Sequence, residues 1–211
     1  MSLDKIERER RRARILAAAR RCIIRHGFHG AGMAEICRAC GMSAGNLYRY
    51  FPSKAAIIKA IADEIRLRIM PVFRRLENHA DPVEGIVEII LFSTREFCRG
   101  SDARLWVEAL SEASRNRLVR KLWIDFDSDM RDLLKSLLRR AIRTGQMDPR
   151  LDLEAASLWL VALLDGAMAR VSVQPDVDLD RTLKTLAGSI RRCFCVQPSR
   201  RKRGVRAFSI L

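Results

Sequence analysis

Apolar residues recur along this chain at steps of three and four, and no stretch alternates in period two between hairpin turns, so the sequence predicts an all-α fold. Ile15, Leu16, Ala19, Cys22 and Ile23 mark one face of a first long helix over residues 4–26, which Gly27 ends. Two short helices follow, over 33–40 and 44–50. Gly41 supplies the left-handed residue that stops the first, because it lacks the Cβ that makes that conformation costly, and Ser43 stands at the N-cap of the second. Ile36, Cys40, Met42, Leu47 and Phe51 are spaced to close a small core between the pair. Ser43, Ala44, Asn46, Tyr48, Arg49 and Tyr50 are left facing outward. Pro52 ends the second helix, and Ser53 caps the next one at Lys54.

The fourth helix, 54–78, carries Ile57, Ile58, Ile61, Ile65, Leu67 and Ile69, and Pro71 is expected to kink or divide it. Asp81-Pro82 opens a fifth that runs through Ile86, Ile89, Ile90 and Phe97 to Gly100, and Asp102 caps a shorter one containing Trp106 and Leu110. The longest periodic stretch, 116–144, has Leu118, Leu122, Phe126, Met130, Leu133, Leu137, Leu138 and Ala141 on one side before Gly145 and Asp148-Pro149. Residues 153–173 are apolar almost all round and must be covered on every side. After a loop at Pro175, Leu179, Leu183, Leu186, Ile190 and Phe194 form a narrow seam opposite Arg181, Lys184 and Arg191. The tail, 197–211, lacks periodicity and is expected to be disordered. No apolar run approaches the roughly eighteen residues of a membrane helix, and arginines stand where a signal peptide has its apolar region, so a cytoplasmic protein without a membrane partner is expected.

Charge sharpens this picture by its location. Of a net +15, residues 1–54 hold 12 Lys/Arg against 4 Asp/Glu, residues 55–196 hold 23 against 21, and the tail holds 5 against none. A basic head on a nearly neutral body is the footprint of a protein that sets one end against a polyanion, although a basic run can also serve only to solubilise a surface. Arg8, Arg10, Arg11, Arg12 and Arg14 line the opening turns of the first helix, where they could face such a polyanion. Cys37-x-x-Cys40 has zinc-like spacing. Both residues fall on one helix that needs small apolar side chains, so packing is expected rather than metal, and Cys193-x-Cys195 has no histidine pair close by. No nucleophile–base pair or phosphate loop stands out, so neither an enzyme nor a cofactor is expected.

G-F-H-G at 27–30, E-I at 35–36, G-M-S-x-G at 41–45 and L-Y-x-Y-F-x-S-K at 47–54 together resemble the TetR family of bacterial transcriptional regulators. The resemblance covers about residues 6–60. It implies an N-terminal three-helix helix-turn-helix head, here 1–54, followed by a larger helical regulatory and dimerisation body, 55–196, with the basic tail beyond. Tyr48, Lys54, the amides at Ser43 and Ala44, and Arg49 would hold phosphates of double-stranded DNA. Asn46 and Tyr50 would read base edges, with Ala44 and Gly45 allowing close approach. The last two long helices would pair in a homodimer through Leu160, Leu164, Leu183, Leu186 and Ile190.

Trp106, Trp123, Phe126, Met130 and Trp159 fall on helices that in the family surround a small-molecule effector pocket, though aromatics at helical spacing also make ordinary core. Glu108, Asn116 and Asp165 are polar groups within these apolar segments and would need partners if buried. The function expected is a dimeric repressor released from a palindromic operator by a small-molecule effector. A sequence-tolerant DNA-organising protein and a regulator switched by cysteine oxidation are the alternatives.

Overall fold

A computed structural model describes residues 3–98, 102–174 and 176–194. Among them are nine helices and no strand: α1 (Leu3–Gly30), α2 (Met33–Cys40), α3 (Ala44–Tyr50), α4 (Lys54–Glu77), α5 (Pro82–Cys98), α6 (Asp102–Ala113), α7 (Arg117–Arg143), α8 (Leu153–Val173) and α9 (Leu179–Phe194). The expected stop at Gly100, the Pro175 loop, Cys195 and the tail lie outside the described residues.

Most boundaries have a local cause. Gly27, at φ 69° and ψ 174°, breaks α1 rather than ending it, and one short turn follows. Asp81 Oδ1 accepts from the Val83 and Glu84 amides at 2.9 and 3.2 Å ahead of Pro82, and Asp152 Oδ1 accepts from Glu154 and Ala155 at 2.9 and 3.1 Å. α4 runs undivided through Pro71. The proline lies on an exposed side of the helix, and Leu67, whose carbonyl loses its donor, is 76% exposed, so water can take that donor's place.

Two apolar clusters result. The first joins Ile15, Leu16, Ile36, Leu47 and Phe51 to Ile57, Ala60 and Ile61 of α4, and it extends to Leu105, Ala113 and Val119 of α6 and α7. The head core therefore crosses the expected boundary at residue 54. The second gathers Ile69 and Phe73 of α4 with α5, α7, α8 and α9. α4 belongs to both. α5 passes so close to the end of α4 that a Cβ on Gly85 would lie 2.9 Å from the Leu76 carbonyl oxygen and 3.0 Å from Leu137 Cδ2.

The seam assigned to the dimer points elsewhere. Leu160, Leu164 and Ile190 are fully buried in the body cluster, Leu183 is buried as well, and Leu186 is half-buried against the same cluster. They form the interior of one subunit. What α8 leaves open is the opposite stripe of Ala155, Leu158, Trp159, Ala162, Gly166, Ala169 and Val173, with Leu158 54% and Val173 76% exposed. A helix apolar on all sides carries no periodicity to say which side turns inward. The hydropathy expectation needs correction too. α8 is long and apolar enough to cross a membrane by length and composition, with mean hydropathy 1.4 and one third of that window buried.

Cys37 and Cys40 pack in the head as free thiols, and Cys40 Sγ donates to the Cys37 carbonyl at 3.5 Å. Burial pushes the Cys22, Cys37 and Cys98 thiols up, whereas Cys193 is exposed.

Candidate nucleic-acid interface

α2 and α3 form the expected two-helix unit. Gly41 takes φ 66°, which closes α2, and the Met42 amide then donates to the Cys37 carbonyl at 3.1 Å. Ser43 Oγ accepts from the Asn46 amide at 3.4 Å, a long bond at the start of α3. α3 is seven residues long and has a single fully buried side chain, Leu47. Its orientation rests on that anchor and on Phe51 just beyond it.

Ser43, Ala44, Gly45, Tyr48 and Arg49 are exposed, and Tyr48 is 49% open to solvent. Asn46 and Tyr50 are half-buried. Tyr50 packs on the head core and, with Arg49, faces Asp4, Glu7, Arg8 and Arg11 of α1 across a shallow cleft. Its ring is therefore partly committed to the fold, which weakens its assignment to base edges. Not all the α1 arginines are free either. Arg14 Nη2 donates to the Cys40 carbonyl at 3.2 Å, and Arg12 stands over the Phe51 ring at 5.1 Å. These two brace the unit, while Arg8 and Arg11 flank α3, Arg11 paired with Glu7 at 2.9 Å. Gly32 begins α2 without a side-chain cap, so the first amides of that helix have no side-chain acceptor there.

Lys54 departs from expectation. Its ammonium donates to the Phe28 carbonyl at the end of α1, and burial pulls its pKa down against the raising effect of Glu112. A group expected to meet phosphate is thus tied partly to the head's own backbone.

Glu112, which gave no signal in the sequence, lies behind it. The side chain is 2% exposed; Oε1 accepts from Asn116 Nδ2 at 2.9 Å and Oε2 from Arg115 Nε at 3.0 Å, with His29 Nε2 at 3.6 Å. Burial would push this carboxyl up, but those donors and the neighbouring charges bring it below its ordinary value. Glu112 therefore ties the His29 end of α1 to the end of α6, and its charge acts on Lys54 at the start of α4.

The residues assigned to an effector pocket separate into two groups. A half-open cavity of about 340 Å³ lies between α1, α4, α6 and α7, and Trp106, Trp123 and Phe126 line it together with Ile23, Phe28, Ile58 and Leu105. Trp106 sits at its centre, with ring centroids 4.5 Å from Phe97, 4.6 Å from Trp123 and 5.8 Å from Phe126. The other assigned residues are not in its lining. Met130 is buried core, and Trp159 is 40% exposed and stacks edge-on against Phe194 at 5.2 Å. Asn116 is the N-cap of α7, accepting from the Leu118 and Val119 amides at 3.1 and 3.4 Å. Glu108 stands at the Gly27 break, its Oε2 3.5 Å from where a Cβ there would sit. Asp165 accepts from the Trp106 indole N–H at 2.9 Å; burial pushes its carboxyl up, the indole opposing and Asp127 adding to the shift. The buried polar group did have a partner, but behind the cavity wall. Among the described residues no cluster of three or more His, Cys, Asp or Glu side chains could hold a metal ion.

Residues 15–61 match the family model described as bacterial regulatory proteins, tetR family, and residues 80–194 match the model for the C-terminal region of BetI-type transcriptional repressors. The transcriptional regulator UidR of Escherichia coli K12 is 31% identical over 188 residues, covering 85% of this chain and 92% of that protein. The transcriptional repressor AcnR of Corynebacterium glutamicum is 27% identical over 186 residues, with 86% and 93% covered. Among solved structures, Salmonella enterica GusR has 32% identity and a TM-score of 0.70, covering 87% of this chain and 96% of its own. The fatty acid degradation regulator FadR of Bacillus halodurans, at 22% identity and a TM-score of 0.75 over 86% and 94%, shares the fold.

Proposed function

The chain belongs to the TetR family of helix-turn-helix transcriptional regulators, which are not enzymes, and on that premise we propose that it is a cytoplasmic repressor acting as a homodimer on a palindromic operator and released by a small molecule. The observation that carries this reading is the pairing, in one chain, of an outward recognition helix with an uncovered apolar stripe on α8. One α3 reads half a site. A second copy docked through Leu158, Trp159, Ala162 and Gly166 would cover the stripe and present two recognition helices to successive major grooves.

At each half-site Tyr48, Arg49 and the uncapped start of α2 at Gly32 meet phosphates, with Arg8 and Arg11 beside them, and Lys54 offers only what its bond to Phe28 leaves free. Asn46 reads a base edge, and Ala44 and Gly45 let the helix approach. Release follows if the small molecule prefers a body in which α4 and α6 hold the heads at another spacing. Selection of bound duplexes from a random pool by the purified protein tests the reading. An inverted repeat with half-sites about one helical turn apart is expected. A pool without symmetry, or binding indifferent to sequence at physiological salt, would refute it and favour a DNA-organising role.

A further inference from the structure

The cavity at the seam of head and body has walls of two kinds. Its depth is apolar and aromatic, made by Ile23, Phe28, Trp106, Trp123 and Phe126 with α4 isoleucines, and the Trp106 indole N–H there is already given to Asp165. A hydroxyl-rich ligand would bury most of its hydroxyls there against apolar side chains, with little to compensate for the lost water.

The charged part of the lining comprises Lys59, Asp63, Arg66, Asp102 and Asp125. Lys59 Nζ is held by Asp63 at 2.7 Å, Arg66 pairs with Asp129, and Asp102 is 3.2 Å from Arg68. Asp125 alone in that set makes no ion pair among the described residues, and it shares the lining with the Trp123 ring. An incoming anion would have to compete for a cation already paired, whereas an incoming cation finds a free carboxylate and an aromatic face. The hydrogen bond from Trp106 to Asp165 also draws electron density toward that indole, which strengthens its face as a cation partner.

We infer that this seam cavity is the effector site and that its ligand is an aromatic compound with a cationic group at one end. The ring lies among Trp106, Trp123 and Phe126, and the cation meets Asp125. This rests on the effector-released reading above and adds where the ligand binds and of what class it is. The location also supplies the coupling. The cavity wall includes Phe28, whose carbonyl holds Lys54, and α6, whose last turn holds Glu112, so a ligand here presses on the residues that tie head to body.

Three probes with one ring and different ends test it on the full-length protein: 1-naphthylmethylamine, 1-naphthylmethanol and 1-naphthoate, followed by tryptophan fluorescence quenching and calorimetry. Because Asp125 is exposed, the amine should bind about three- to fivefold tighter than the alcohol, and Asp125→Asn should remove most of that difference while leaving the alcohol unchanged. Ala109→Trp, which fills the cavity, should abolish binding of all three. Ala62→Phe replaces it should circular dichroism show that variant unfolded. Tightest binding of the naphthoate, an unchanged amine preference in Asp125→Asn, or full binding by a folded cavity-filled variant overturns the assignment. Operator affinity is read separately. If the amine binds as described and the operator complex is indifferent to it, the site stands and effector release falls; if another compound releases the operator equally from the wild type and from the filled variant, release stands and the site falls.

Discussion

Removing the Glu112 carboxylate should loosen the head from the body by a measurable amount. The side chain is 2% exposed and holds Asn116 at 2.9 Å and Arg115 at 3.0 Å. In Glu112→Ala the Arg115 and His29 side chains, 53% and 80% exposed, regain water, so Asn116 is the partner left poorly paired, while the half-buried Lys54 keeps its bond to Phe28 and loses only the nearby charge. That places the loss near the lower end for a buried network, about 2 kcal/mol, or about 4–8 °C in Tm for a chain of this size. Glu112→Gln keeps an acceptor for Asn116 and should lose roughly half as much. The carboxyl lies below its ordinary value of 4.5 in the fold, so its contribution is complete above that value and disappears as pH falls through the lower folded one. Thermal denaturation followed by far-UV circular dichroism at neutral and acidic pH reads both effects. A Glu112→Ala variant that melts with the wild type at neutral pH, or a gap that widens on acidification, would refute the reasoning.

Gly85→Ala places a methyl group 2.9 Å from the Leu76 carbonyl oxygen and should cost about 1–3 kcal/mol, seen as a lower urea midpoint at unchanged slope. Leu158→Glu sets a charge in the open α8 stripe and should convert the proposed dimer to monomer in sedimentation velocity; a dimer that persists puts the interface elsewhere. Arg49→Ala should weaken binding to every duplex and flatten the salt dependence by about 0.9 for each phosphate no longer neutralised. Asn46→Ala should instead lose about 1–3 kcal/mol of discrimination at particular base pairs, and equal losses on operator and random DNA would exclude its reading role.

The helices were legible because their punctuation is local. Gly41, Ser43, Ser53, Asp81-Pro82 and Gly145 act on their own neighbours, and a sequence window contains both partners. The outward placement of the α3 side chains was legible for the same reason, apart from Tyr50 and Lys54, whose partners Arg11 and Phe28 come from a helix that only the fold brings near. The cavity was half legible. Its tryptophans announced themselves by type, but Ile23, Phe28 and Ile58 read as ordinary core, since nothing in their own helices says that α1 and α4 stop short of α6 and α7. Glu112 was invisible: a lone acid on an amphipathic helix reads as solvated until α1 covers it. The α8 leucines failed in another way, because a helix greasy on all sides gives equal votes to both of its faces.

α4 is a single rod that starts beside the recognition helix and ends in the body core. At 24 residues it is roughly 36 Å long, so a tilt of about five degrees about its Glu77 end would carry Lys54 some 3 Å sideways, comparable to the length of one hydrogen bond. Had Pro71 severed the helix, that motion would be absorbed at the break. Left whole, the rod turns a shift too small to disturb the packing around Phe73 into one of several ångström at the end that bears Lys54.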